Sequence, residues 1–103
     1  MSYKIEITKE ANADIDEVLT YISVNLGSKF AANDMMSELE DRFKLLSASP
    51  EMYELCRSSR LREKGYRRFL LKNYIVFYKI KETERTVYIV RIIYGKRDYI
   101  NLL

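Results

Sequence analysis

The stretch Val87-Tyr88-Ile89-Val90-Arg91-Ile92-Ile93-Tyr94 constrains this chain more than any other: seven valines, isoleucines and tyrosines with one arginine among them, running into Gly95 and then Lys96-Arg97-Asp98-Tyr99. Residues of that kind favour a half-buried or fully buried strand. Strict alternation would put Tyr88, Val90, Ile92 and Tyr94 on one face, the expected core side, and Val87, Ile89, Arg91 and Ile93 on the other. An arginine within an apolar strand is costly unless it meets an anion. Arg91 is therefore expected either to pair inside the fold, with Asp98 or Glu63, or to face a phosphate or an acidic partner. The strand delivers Lys96 and Arg97 to the surface at its far end.

The 103 residues suit one domain, residues 1–103, with a single two-layer core. The 48% hydrophobic and 32% charged content is that of an ordinary globular protein. No apolar run approaches the roughly 20 residues of a membrane helix, and no signal-peptide pattern opens the chain, so a cytoplasmic protein without membrane contact is expected. The single cysteine, Cys56, allows no intrachain disulfide. The chain contains no histidine, which removes the usual general base near neutral pH and the commonest zinc ligand. No metal site and no cofactor motif is present, and any catalysis would run on lysine, arginine, tyrosine or carboxylates.

Charge is divided along the chain. Residues 1–56 hold 5 Lys/Arg against 11 Asp/Glu, a net of −6, and residues 57–103 hold 13 against 4, a net of +9. An acidic side and a basic side are expected, the latter attracting a polyanion or an acidic protein.

Tyr3 to Thr8 alternates as a short strand, with Tyr3, Ile5 and Ile7 on one face. Thr8 can cap a helix whose stripe Ala11, Ile15, Val18, Leu19, Ile22 and Leu26 ends at Gly27. Ser28 opens a second helix with Ala32, Met35, Met36, Leu39, Phe43 and Leu46 on one side and the i, i+4 pairs Glu38/Arg42 and Glu40/Lys44 on the other. So short a connection predicts an antiparallel hairpin. From Ser47 to Gly65 the periodicity lapses, with Met52, Tyr53 and Leu55 expected to pin a basic loop to the core. Tyr66–Lys72, Tyr74–Ile80 and the opening stretch then make a three-stranded antiparallel meander, with Asn73 as the residue tolerant of positive φ in the first turn. The predicted class is α+β: an N-terminal strand closing one edge of the meander, the helix hairpin on one face, and the other face open, carrying Arg68, Arg91 and Lys72.

The side chains singled out for chemistry are Arg67, Arg68, Arg91, Lys96 and Arg97 with Tyr94 and Tyr99, because arginine binds phosphate or carboxylate bidentately while tyrosine stacks and hydrogen-bonds. Cys56 lies next to Arg57, which would lower a thiol pKa, but a lone thiol in a reducing compartment is more often inert.

Glu10-Ala11 through Asp14-Ile15 to Tyr21-Ile22, then Gly27; Gly65-Tyr66-Arg67-Arg68; Tyr74-Ile75-Val76-Phe77-Tyr78; and Val90 to Asp98 together resemble the RelE/ParE superfamily of bacterial type II toxins, over nearly the whole chain. The resemblance implies a cognate antitoxin as partner. RelE-like members are ribosome-dependent mRNA endonucleases, working without a metal. Onto their basic residues and tyrosine fall Arg68, Arg97 and Tyr99, and these three with Arg91, singled out by its place in the strand, are the catalytic candidates under that reading. ParE-like members inhibit DNA gyrase, for which Arg67, Arg68, Arg91, Tyr94, Lys96 and Arg97 would be the target-binding set. Ile75 stands where a RelE-like enzyme would carry an arginine, and the first helix and the Arg91–Asp98 motif look more like ParE. The expectation is thus a ParE-like toxin, with roles in growth inhibition and plasmid stabilisation, and an endonuclease acting on ribosome-bound mRNA as the alternative.

Overall fold

In the computed structural model, which describes residues 2–97 and 99–103, four strands form one sheet: β1 (Lys4–Ile7), β2 (Arg67–Leu71), β3 (Tyr74–Lys81) and β4 (Thr86–Tyr94). Their order is β1-β4-β3-β2, with β1 parallel to β4 and the other pairs antiparallel. The meander and the edge position of the first strand are as the sequence predicts.

Helix α1 (Lys9–Thr20) starts where Thr8 caps it, the Thr8 hydroxyl accepting from the Ala11 N–H at 3.1 Å. Helix α2 (Lys29–Ala48) starts the same way, with Ser28 accepting from the Ala31 N–H at 3.0 Å. Between them α1 does not simply run on to Leu26. It widens into a π-helical turn, Tyr21–Asn25, in which the Leu26 N–H reaches the Tyr21 carbonyl at 3.1 Å, before Gly27 at φ 67° reverses the chain. The extra residue rotates the end of the stripe, so Ile22 stays buried while Leu26 is 61% exposed.

The hairpin packs on one face of the sheet. Ile15, Val18 and Ile22 of α1 and Met35, Leu39, Phe43 and Leu46 of α2 form a continuous core with Phe69, Leu71, Val76, Tyr78, Val87, Ile89 and Ile92. Burying a side chain of that size contributes about 1.5–3 kcal/mol, so these residues dominate the folding energy. Met35 is fully buried among them, as a gap-filling residue should be.

Strand β4 corrects the simple alternation. The register steps from Phe77 opposite Arg91 to Tyr78 opposite Ile89, leaving Val90 as an extra residue in a β-bulge. Val87 and Ile89 therefore face the helices, not Tyr88 and Val90, and after the bulge Ile92 does so too. Val90 and Ile93 turn to the opposite face, and Tyr88 is only half-buried, its hydroxyl donating to Glu84 Oε1 at 2.6 Å.

That opposite face is not open. The segment expected to be irregular contains a short helix, α3 (Ser59–Glu63), whose Leu61 is buried with Cys56, Ile75, Phe77 and Ile93. Tyr66, Val90, Tyr99, Ile100, Leu102 and Leu103 pack around this second cluster. Of the residues expected to pin the 47–65 segment, Tyr53 does so, stacked on Phe69 at 5.0 Å between ring centroids, whereas Met52 is exposed. The β2–β3 turn places its positive φ at Lys72 (54°) rather than Asn73. Lys72 also lies outside the expected cationic face, pairing with Asp34 at 3.2 Å and Glu38 at 3.8 Å. Glu38 thus reaches across to the turn, and Arg42 donates to the Tyr53 hydroxyl at 2.9 Å and covers the Phe69 ring.

Candidate functional site

Strand β1 ends at Ile7, opposite Ile89, so the edge of β4 beyond the bulge lacks a strand partner on that side. Asp14, on the buried side of α1, takes its place. Its Oδ2 accepts from the Ile92 N–H at 2.9 Å and from Arg91 Nε at 2.7 Å, and its Oδ1 accepts from Arg91 Nη2 at 3.1 Å. Arg91 Nη1 donates to the Leu102 carbonyl at 3.3 Å, tying the last residues to the sheet. The anion Arg91 requires is thus a residue of the fold, Asp14, and not Glu63; Asp98 lies outside the described residues. Hydrogen bonding to Asp14 above all, then the charges of Asp14, Glu10 and Glu17, raises the Arg91 pKa against the opposing effect of burial.

Arg68, Phe77 and Arg91 form one row across β2, β3 and β4. Phe77 is fully buried and carries the Tyr99 ring on it at 5.3 Å, so two packed aromatics stand between the arginines. Neighbouring strands lie about 4.8 Å apart, which separates Arg68 and Arg91 by roughly two strand spacings. Arg67 points to the other face, donating to the Tyr53 carbonyl at 2.6 Å and holding the 47–65 segment against β2. Arg68 lines a small polar recess of about 200 Å³ with Glu54, Leu55 and Arg57. Cys56 is buried, and desolvation pushes its thiol up despite the opposing charge of Arg68, so its neighbour Arg57 does not leave it activated.

The remaining candidates gather elsewhere. Tyr94 lies at the end of β4, and Lys96 and Arg97 follow it in an exposed turn closed by the Arg97 N–H to the Tyr94 carbonyl at 3.0 Å. Gly95 lets this turn lie against the β2–β3 turn: its N–H donates to the Asn73 carbonyl at 2.9 Å, and a Cβ there would meet that oxygen at 3.3 Å. Between these turns and the tip of the helix hairpin runs a groove of about 640 Å³, lined by Tyr21, Ile22, Leu26, Lys72, Tyr74 and Tyr94 among others. Tyr74 and Tyr94 meet edge to face at 5.7 Å, and burial, with smaller contributions from Tyr21 and Tyr94, pushes the Tyr74 phenol up. Sequence reasoning missed the groove. Its one signal was the run of apolar residues around Gly27, namely Val24, Leu26 and Phe30, where a helix connection is ordinarily polar. Asp14 was also missed as a partner, since an acidic residue early in a helix already has a local explanation in the helix dipole.

Among the described residues no group of three or more His, Cys, Asp or Glu side chains could hold a metal ion. Among the same residues no helix is long and apolar enough to cross a membrane.

A one-sheet α+β fold with a helix hairpin on one face is shared by chains of solved toxin–antitoxin systems. The chromosomal ParDE toxin–antitoxin system of P. aeruginosa contains a chain that superposes with a TM-score of 0.72 at 20% identity, over 92% of this chain and 98% of that one. A chain of the RelBE2 toxin–antitoxin complex of Mycobacterium tuberculosis gives 0.65 at 19% identity, over 91% and 99%. A metal-bound toxin from Helicobacter pylori gives 0.55 at 18%, over 89% and 93%. No curated protein matches the sequence. Residues 5–99 match the family described as ParE toxin of type II toxin-antitoxin system, parDE, and the chain belongs to that family.

Proposed function

We propose that this ParE-family toxin arrests growth by binding and inhibiting DNA gyrase in the cytoplasm, and that a cognate antitoxin neutralises it. Target contact is assigned to the Tyr94, Lys96 and Arg97 turn, with Arg68 as an outlying cation. The observation that carries this over the endonuclease alternative is the engagement of Arg91 by Asp14, together with the packing of Tyr99 on Phe77. A cleavage site needs its cations and its tyrosine free to converge on one phosphate. Here two of the four candidates serve the fold, and Ile75, in place of the arginine, is buried in the second cluster. Purified toxin is expected to block gyrase supercoiling at micromolar concentration, and addition of the neighbouring gene product is expected to restore it. Unaffected supercoiling, with specific breaks in cellular mRNA that Arg97→Ala abolishes, would replace this reading with the endonuclease.

A further inference from the structure

Among the described residues, four of the eight exposed large apolar side chains lie at the tip of the helix hairpin. Tyr21 is 49% exposed, Val24 71%, Leu26 61% and Phe30 82%. Solvated apolar clusters of this kind mark interaction surfaces. Two further features show what fits here.

Phe30 is 82% exposed and does not line the groove, whereas Ala31, next to it in the chain, does. Phe30 precedes Asp34 by one helical turn on the same face of α2. Asp34 in turn holds Lys72, one of the groove's lining residues. A protruding phenyl ring therefore stands next to an aromatic-lined hollow of about 640 Å³, ample for a ring of that size. A knob and a matching hollow on one surface is the requirement for an isologous contact, in which each copy's knob fills the other's hollow.

The charges flanking the groove are complementary in the same sense. On one side Tyr21 borders a shallower concavity lined by Asp16 and Glu17. On the other side Tyr94 leads into exposed Lys96 and Arg97. A two-fold axis through the groove lays the acidic flank of one copy over the basic flank of the other, which steers association and fixes orientation.

We infer that the hairpin tip is a self-association surface through which two copies of this chain pair, each inserting Phe30 into the aromatic groove of the other. The pairing goes beyond the gyrase reading and does not depend on it. Its consequence does rest on that reading: with the Lys96 and Arg97 turn as target contact, the paired form is a self-masked store of toxin, and dilution releases the active monomer.

The test is sedimentation of the purified full chain from about 1 µM to about 200 µM, the range in which modest interfaces populate dimers. A concentration-dependent monomer–dimer equilibrium is expected. Phe30→Glu should weaken it about tenfold or more, as removal of a central anchor does. Circular dichroism should be unchanged, since Phe30 is solvated in the monomer. The double change Lys96→Glu with Arg97→Glu should weaken pairing, and adding Asp16→Lys with Glu17→Lys should restore it. A chain that stays monomeric throughout, or a dimer indifferent to Phe30→Glu, overturns the inference, as does failure of the charge swap to restore pairing. Monomeric toxin whose Phe30→Glu variant instead loses antitoxin capture would assign the surface to that partner. Supercoiling assays bear on the target alone, so the two readings fail separately.

Discussion

The carboxylate of Asp14 accepts two hydrogen bonds from the Arg91 guanidinium, at 2.7 and 3.1 Å, and a third from the backbone of Ile92 at 2.9 Å. A residue of the first helix thereby completes the edge of the last strand where β1 stops. Arg91, the most conspicuous cation in the sequence, joins α1, β4 and the C-terminal residues.

Asp14→Ala leaves a largely buried guanidinium and the Ile92 N–H without their acceptor. Loss of such a partner costs about 2–4 kcal/mol. Urea denaturation should show this, and Arg91→Met, which leaves the buried Asp14 carboxylate without its cation, should be destabilising as well. Unchanged stability in either variant would mean that the ion pair is not what ties these elements together.

Tyr78 is fully buried and donates to the Pro50 carbonyl at 2.8 Å, and burial pushes its phenol up to about 12. In the unfolded chain the phenol ionises near 10. The folded state therefore holds its proton to higher pH than the unfolded state. The stabilisation is complete below pH 10 and is lost as pH rises from about 10 to about 12. Tyr78→Phe should cost about 1 kcal/mol at neutral pH and flatten the alkaline limb of a stability-against-pH curve.

The Cys56 thiol is buried and its pKa is raised, so aromatic disulfide reagents should label it slowly in the native protein. Labelling should accelerate in step with urea unfolding. Rapid labelling of folded protein at pH 7 would show that α3 opens independently of the main core.

Charge reversal at Lys96 and Arg97 should reduce gyrase inhibition about tenfold or more while shifting stability by less than about 0.5 kcal/mol, because both side chains are exposed. A dose–response supercoiling assay alongside urea denaturation separates the two effects. Undiminished inhibition would remove this turn from the target-binding surface.

Much of the fold was legible because its signals are local. Thr8 and Ser28 cap the helices from the positions their side chains suggest, Gly27 reverses the chain at positive φ, and the three late strands follow from their β-branched and aromatic content. The faces of β4 were not legible, since the bulge at Val90 inverts the alternation and arises from how β3 and β4 twist together. Helix α3 was hidden because five residues carry too little periodicity to register. The left-handed residue at Lys72 went to an unexpected side chain for a similar reason: turn geometry selected the position and Asn73 only neighbours it.

The same division holds for the candidate site. The sequence by itself determined which side chains carry charge and which residues can make strands, helices and turns, because these follow from short-range chemistry along the chain. Only the tertiary structure decided what each cation meets. Arg91 found Asp14 across 77 positions of sequence, Arg67 found the Tyr53 carbonyl, and Lys96 and Arg97 were left exposed beside an aromatic groove. Partners that distant depend on where one missing strand pair, one bulge and one π-helical turn place their elements, and those are properties of the packed chain as a whole.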